Sequence, residues 1–325
     1  MNMQNAMDLA KRLRVNIARA VVGKGEVIDL LLAALFGNGH VLLEDVPGTG
    51  KTLLAKALAR SLDGEFKRVQ FTPDLLPSDL SGIHFYNQKS GDFEFRAGPL
   101  FTHVLLADEI NRATPRTQSS LLECMEERQV TIDGTTHSLT APFFVMATQN
   151  PVDNQGTFPL PEAQLDRFLM RISMGYPSFE EGVDILQRFR ESSPLDELAP
   201  AATTGEVAAA QRCAADVHVS RDLLGYIVRI AEATRRHPEV RLGASPRAAL
   251  ALLRASQGYA LIQGREYATP DDIKELAVPV LAHRLLLRHG LNLGEAREDG
   301  VVRQALSEVE VPAEEIGAAK GSGGV

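Results

Sequence analysis

The sequence predicts an α/β fold: a doubly wound parallel sheet in the first half, then a smaller all-helical domain. Three observations predict it. Short, nearly continuous apolar runs alternate with helical patterns up to about residue 176. One run leads through a Gly-rich turn into an amphipathic segment. Beyond the Gly175-Tyr176-Pro177 break only helical patterns occur, separated by Pro and Gly.

The strand-like runs are His40–Asp45, Phe66–Thr72, His103–Asp108, Phe143–Thr148 and Phe168–Met174. Of the helical patterns between them, Thr52–Leu62 puts Leu54, Leu58 and Leu62 on one stripe, with Lys56 and Arg60 elsewhere. Thr114–Arg128 opens with Thr114 as N-cap and Pro115 at the first helical position. Two hairpins interrupt this plan. One spans about Leu80–Arg96 with a turn near Lys89-Ser90-Gly91; the other spans about Gln129–Leu139 with Asp133-Gly134 as its turn.

In the second half the helices are Glu180–Arg190, Glu206–Ala215, Ser220–His237, Ser245–Gln263 and Pro270–His289, with Ser192–Gly205 as a loop. The expected domains are therefore 1–176, α/β, and 177–313, helical. A tail follows at 314–325, where the Gly, Ser and Ala of Ala318–Val325 predict disorder.

Composition narrows the function classes. The chain has 325 residues, 44 % apolar, enough for a full core, and a net charge of −8. That balance argues against a broad nucleic-acid-binding surface. Cys124 and Cys213 stand in no ligand spacing and read as reduced thiols. Met1–Arg14 has no apolar core of a signal peptide, and Val27–Phe36 is too short to span a bilayer and contains Asp29. A cytoplasmic protein without membrane insertion is expected.

The strongest chemical signal is Val41–Thr52, VLLEDVPGTGKT, where a strand meets a Gly-rich turn and then a helix. This is the context of a phosphate-binding loop. Its backbone N–H groups and the helix N-terminus suit phosphate oxygens. Gly48, Gly50, Lys51 and Thr52 form the cradle, with Pro47, Thr49 and Leu53 around it. Lys51 suits the β- and γ-phosphates of ATP, and the Thr52 hydroxyl suits Mg²⁺. The general pattern asks for Gly at position 45, where this chain has Asp45.

About 60 residues later, the apolar run His103–Asp108 ends in Asp108 and Glu109. Asp108 can enter the Mg²⁺ shell, and Glu109 can orient or deprotonate the attacking water. The run Phe143–Thr148 leads to Asn150, which is placed to hydrogen-bond a water or the γ-phosphate. Arg167, in the segment Leu160–Phe168, reads by itself as a solvated loop cation, although an arginine supplied to a phosphoryl group can be worth about 10³–10⁵ in rate. Arg247, just after Ser245-Pro246, opposes the dipole of its own helix, so an anion is a candidate partner.

Together these pieces resemble an AAA+ ATPase. The phrases LEDVPGTGKT (Leu43–Thr52), ADEINRA (Ala107–Ala113), QSSLLECMEERQVT (Gln118–Thr131), ATQNP (Ala147–Pro151) and LPEAQLDRF (Leu160–Phe168) narrow the resemblance to the MoxR family, over residues from about 20 to about 290. It implies an AAA+ P-loop core with a helical lid, in which the hairpins are the helix-2 insert and the pre-sensor-1 hairpin. By the same resemblance Asn150 is sensor 1, Arg167 an arginine finger acting on a neighbour, and Arg247 sensor 2. Val22 and Gly23 lie near the adenine. Also implied are a homo-oligomeric ring, commonly a hexamer, and chaperone-like work on client proteins, including metal-cofactor insertion. A partner with a von Willebrand factor A domain belongs to the same picture.

Two rival readings follow from the same residues. A nucleic-acid motor of the same branch is disfavoured by the acidic charge and by a second hairpin whose single candidate cation is His137. A slowly hydrolysing, nucleotide-gated scaffold is disfavoured by the intact Glu109.

Overall fold

The computed structural model describes residues 1–150, 156–191, 193–288 and 297–312. The expected tail at 314–325 lies outside them.

Two helices precede the sheet, α1 (Met3–Ala20) and α2 (Gly25–Phe36). Neither was assigned from the sequence, although α2 contains the apolar Val27–Phe36 stretch. Its awkward charge, Asp29, is buried and paired with Arg14 of α1. The chain then runs through β1 (Val41–Glu44), α3 (Lys51–Ser61), β2 (Phe66–Gln70) and the short α4 (Pro77–Ser81). The hairpin β3 (Gly82–Asn87) and β4 (Asp92–Ala97) comes next, followed by β5 (Val104–Asp108) and α5 (Pro115–Glu127). A second hairpin, β6 (Gln129–Ile132) and β7 (Thr135–Ser138), leads to β8 (Phe144–Gln149), the one-turn α6 (Glu162–Leu165) and β9 (Met170–Ile172).

The five strands expected from the apolar runs form one parallel sheet in the order β2-β5-β8-β1-β9. Alternate residues feed two cores, as the two-residue period of a strand demands. Val41, Leu43, Val104, Leu106, Phe144 and Met146 face one cluster, which includes α1 to α3 and the second half of the chain. Leu42, Leu105, Ala107, Val145 and Ala147 face the other, under α5 and the hairpins. Both hairpins form. At the tip of the second, Asp133 and Gly134 both have positive φ (48° and 80°), as a two-residue turn matched to strand twist requires.

The second half comprises α7 (Phe179–Glu191), α8 (Thr204–Ala215), α9 (Arg221–Arg236), β10 (Val240–Leu242), α10 (Pro246–Ile262), α11 (Pro270–Leu281), β11 (Leu286–Leu287) and α12 (Arg297–Glu308). It is therefore not all-helical. The helix expected over Pro270–His289 ends at Leu281. The chain tightens through residues 282–284 and returns extended, so that β11 pairs antiparallel with β10. Arg284 explains the change of course. It is 7 % exposed, ion-paired to Asp166 at 2.7 Å, and donates to the carbonyls of Phe168 (2.6 Å) and Leu169 (3.1 Å). A cation buried among those acceptors pins the end of α11 to the loop before β9. His289 lies outside the described residues.

Candidate nucleotide site

The loop between β1 and α3 takes its shape from two glycines. Gly48 (φ +85°) and Gly50 (φ +95°) adopt left-handed conformations that L side chains rarely tolerate, and α3 begins at Lys51. Asp45 occupies the position where the general pattern has Gly, and its φ is not positive, so glycine is not required there. Its buried carboxylate instead accepts three backbone N–H groups: Val46 at 2.8 Å, Met174 at 2.9 Å and Gly175 at 2.8 Å. From the other side, the Lys24 ammonium donates to the carbonyls of Gly175 (3.4 Å) and Tyr176 (3.2 Å). The departure from the motif is thus a clamp between the loop, the exit from β9 and the segment after α1.

A cleft of about 440 Å³ opens at the carboxyl ends of the strands. It is lined by Pro47, Gly48, Gly50, Lys51 and Thr52 from the loop and by Asp108, Glu109 and Asn150 from the ends of β5 and β8. Lys51, Thr52, Asp108, Glu109 and Asn150 therefore converge on one space. Lys51 Nζ lies over the loop, donating to Val46 O at 2.7 Å and Asp45 O at 3.1 Å. Thr148 ties two strand ends together. Its hydroxyl donates to Asp108 Oδ1 at 2.6 Å and accepts the N–H of Glu109 at 2.8 Å. Glu109 is itself left-handed (φ 55°, ψ 51°), a conformation costing about 1 kcal/mol for a side-chain-bearing residue.

Two cleft residues escaped the sequence reading. Arg68 reaches Asp108 Oδ2 at 2.6 Å, and Gln70 Nε2 donates to Glu109 Oε2 at 2.7 Å. Arg112 Nε lies 3.0 Å from the same Glu109 oxygen. Arg68 and Gln70 stand two apart on β2, so both face the cleft. β2 carries polar residues where an interior strand would be apolar, because it is the sheet edge.

Other predicted residues lie elsewhere. Val22, Gly23, Thr49 and Leu53 do not line the cleft. Thr49 Oγ1 donates within the loop to Val46 O at 3.4 Å, and Leu53 packs against the core. Gly23 (φ +71°) abuts Glu181 of α7 so closely that any Cβ there would collide with that side chain. Arg167 and Arg247 are also outside the cleft, but they are together. Arg167 Nε lies 3.3 Å from one Glu126 oxygen and Arg247 Nη2 3.0 Å from the other.

Oxygen donors of the kind Mg²⁺ prefers, the Thr52 hydroxyl and the Asp108 carboxylate, share the cleft. Both would suit a hard divalent cation, which prefers oxygen ligands. Among the described residues there is no group of three or more His, Cys, Asp or Glu that could hold a metal by themselves. Cys124 is buried, which pushes its thiol up to about 12, and so is an inert thiol. Among the described residues no helix is long and apolar enough to cross a membrane.

Comparison with known proteins gives the family. The model of the ATPase family associated with various cellular activities matches residues 40–170, and that of the AAA lid domain matches residues 232–308. The chaperone MoxR1 of Mycobacterium tuberculosis is 42 % identical over 93 % of this chain and 82 % of its own length. The uncharacterized protein YeaC of Bacillus subtilis is 51 % identical over 91 % and 93 %. A solved structure from Cytophaga hutchinsonii, described as a candidate ATPase, superposes with a TM-score of 0.87 at 38 % identity, covering 95 % of this chain and 96 % of that one.

Proposed function

The chain belongs to the MoxR family of AAA+ ATPases, and on that premise we propose that it hydrolyses ATP, with Mg²⁺ as cofactor, within a homo-oligomeric ring that remodels client proteins. The observation that carries this reading is the convergence of Lys51, Thr52, Asp108, Glu109 and Asn150 on one cleft.

In this reading the backbone of residues 48–52 and the Lys51 ammonium hold the β- and γ-phosphates. Thr52 and Asp108 would hold the metal, which when bound draws charge from the phosphate oxygens. Glu109 orients a water and takes its proton as the water oxygen bonds to the γ-phosphorus. The bond from that phosphorus to the β-γ bridging oxygen breaks, and ADP leaves with that oxygen. Asn150 hydrogen-bonds the γ-phosphate or the water. Arg167 and Arg247, side by side on Glu126 and away from the cleft of their own subunit, are the cations offered to the neighbour's nucleotide. Val22 and Gly23 border the adenine, and Pro47, Thr49 and Leu53 support the loop.

The ring is proposed to be a hexamer in the cytoplasm, built of an α/β domain (1–176) and a lid (177–313). Its work is chaperone-like maturation of partner complexes, including metal-cofactor insertion, with a von Willebrand factor A domain protein as partner. Nucleic acid is a poor candidate client. His137 is stacked on Phe95 of the other hairpin, with ring centroids 4.7 Å apart, and is not presented as a surface cation.

ATP turnover measured against protein concentration, for the wild type, Glu109→Gln and Arg167→Ala, tests the reading. Specific activity should rise with concentration, and both variants should lose it while still binding ATP. Turnover independent of concentration, or an unimpaired Arg167→Ala, would overturn the ring mechanism.

A further inference from the structure

A second cavity, of about 460 Å³, lies at the amino-terminal edge of the sheet, where α2 ends and β8 begins, against α8 and α10. It is at the opposite end of the strands from the nucleotide cleft. Its lining contains three arginines, Arg128, Arg212 and Arg254, and no Asp or Glu. In a chain of net charge −8 this is a local reversal of sign.

Arg128 is partly buried and donates to neutral acceptors, the carbonyls of Phe143 and Asn38. Burial pulls its guanidinium down to about 10. A cation desolvated without a counter-ion is unfavourable until an anion joins it. Arg212 on α8 and Arg254 on α10 are exposed, and neither has an ion-pair or hydrogen-bond partner among the described residues. The rest of the lining mixes apolar side chains, among them Leu139, Pro142 and Phe143, with the amides of Asn38, Gln211 and Gln257.

We propose that this cavity is a second ligand site, for a phosphomonoester carried on a compact apolar body. Guanidinium forks match phosphate oxygens in pairs. A phosphomonoester brings about −1.5 to −2 charges near pH 7, so it offsets three cations better than a single carboxylate does. The apolar side chains of the lining take the body, as ligand pockets commonly combine an apolar lining with a few fixed polar groups.

Isothermal titration of the full chain with phenyl phosphate tests the proposal, with ADP and Mg²⁺ saturating so that the nucleotide cleft is occupied. Phenyl phosphate should bind with a Kd below about 1 mM, and inorganic phosphate and benzoate each at least about tenfold more weakly. The double variant Arg212→Ala/Arg254→Ala should lose at least about tenfold in phenyl phosphate affinity, with ADP affinity and melting temperature unchanged. Ala208→Glu, which puts a carboxylate into the lining, should have the same effect. No binding of phenyl phosphate, or equal binding by both variants, removes the site. Benzoate binding as tightly as phenyl phosphate removes the phosphate class, and inorganic phosphate doing so removes the apolar body.

Discussion

Arg247 lies 3.0 Å from Glu126, whose second carboxylate oxygen lies 3.3 Å from Arg167. Arg247 is also 3.8 Å from Asp166, beside Arg167 in sequence. The first turn of α10 and the loop before β9 therefore present two cations at one place, bridged by Glu126, with Asp166 as a second acid beside Arg247.

If that pair serves the neighbouring subunit, complementation follows. Arg167→Ala and Glu109→Gln, each inactive alone, should recover turnover when mixed, because some interfaces then combine an intact Glu109 with an intact Arg167. Loss in each single variant should be about 10³-fold or more. A mixture that stays inactive, although the two chains co-assemble, would show that the arginine acts within its own subunit.

The grip of Gln70 on Glu109 sets a second expectation. A hydrogen bond to a carboxylate holds it in one orientation at about 1.5–3 kcal/mol. Gln70→Ala should free the base and raise basal ATP turnover, by up to about tenfold, with ATP affinity little changed. A fall in turnover would mean that Gln70 positions Glu109 productively.

Asp45→Gly restores the general loop pattern and removes the acceptor for the N–H groups of Val46, Met174 and Gly175. Urea denaturation should show a loss of about 1–3 kcal/mol. Asp45→Asn, which keeps an acceptor oxygen, should lose less. A glycine variant as stable as the wild type would dismiss the clamp.

Stability should fall below neutral pH. His40 is buried; its Nδ1 accepts the Val145 N–H and its Nε2 donates to Met125 O, and burial holds its pKa well below the usual value. His283 is buried and shifted in the same direction, burial again being the largest cause. In the unfolded chain both take up protons near the ordinary value of about 6.5. Below that pH the unfolded state binds more protons, so stability is full above it and is lost as pH drops, by up to about 2.7 kcal/mol per unit. Chemical denaturation at pH 8, 6.5 and 5.5 should show this slope, and His40→Gln should reduce it by about half.

The first hairpin carries the exposed cross-strand pair Tyr86 and Phe93, with ring centroids 5.4 Å apart and 55 % and 68 % of each residue exposed. It is braced on the second hairpin by Phe95 against His137 and by His84 with Asp133 at 2.9 Å. Tyr86→Ala/Phe93→Ala should leave ATP turnover within about twofold, since neither ring touches the cleft; if the proposed client remodelling runs through this hairpin, the variant should lose it. A parallel loss of ATP turnover would argue that the tip belongs to the nucleotide site.

Much of this architecture was legible in the chain alone. The interior strands β5, β8 and β1 announced themselves because a parallel strand covered on both faces must be apolar nearly throughout. Asp133-Gly134 announced its hairpin because few other dipeptides accept two positive φ values in succession. That Lys51, Thr52, Asp108, Glu109 and Asn150 share one cleft was legible because each lies at or just beyond the carboxyl end of a strand, and strand ends in such a sheet open on one crevice. What local pattern could not carry was decided by distant partners. Arg68 and Gln70 carried no signal of their own within the Phe66–Thr72 run; β5 brought Asp108 and Glu109 beside them. Asp45 looked like a flaw in a motif until residues 174 and 175 returned to it. The end of α11 depended on Arg284 finding Asp166, and the pairing of Arg167 with Arg247 on Glu126 joined three segments far apart in the chain. Periodicity reports which face of an element is buried; which charge meets which is set only when the faces pack.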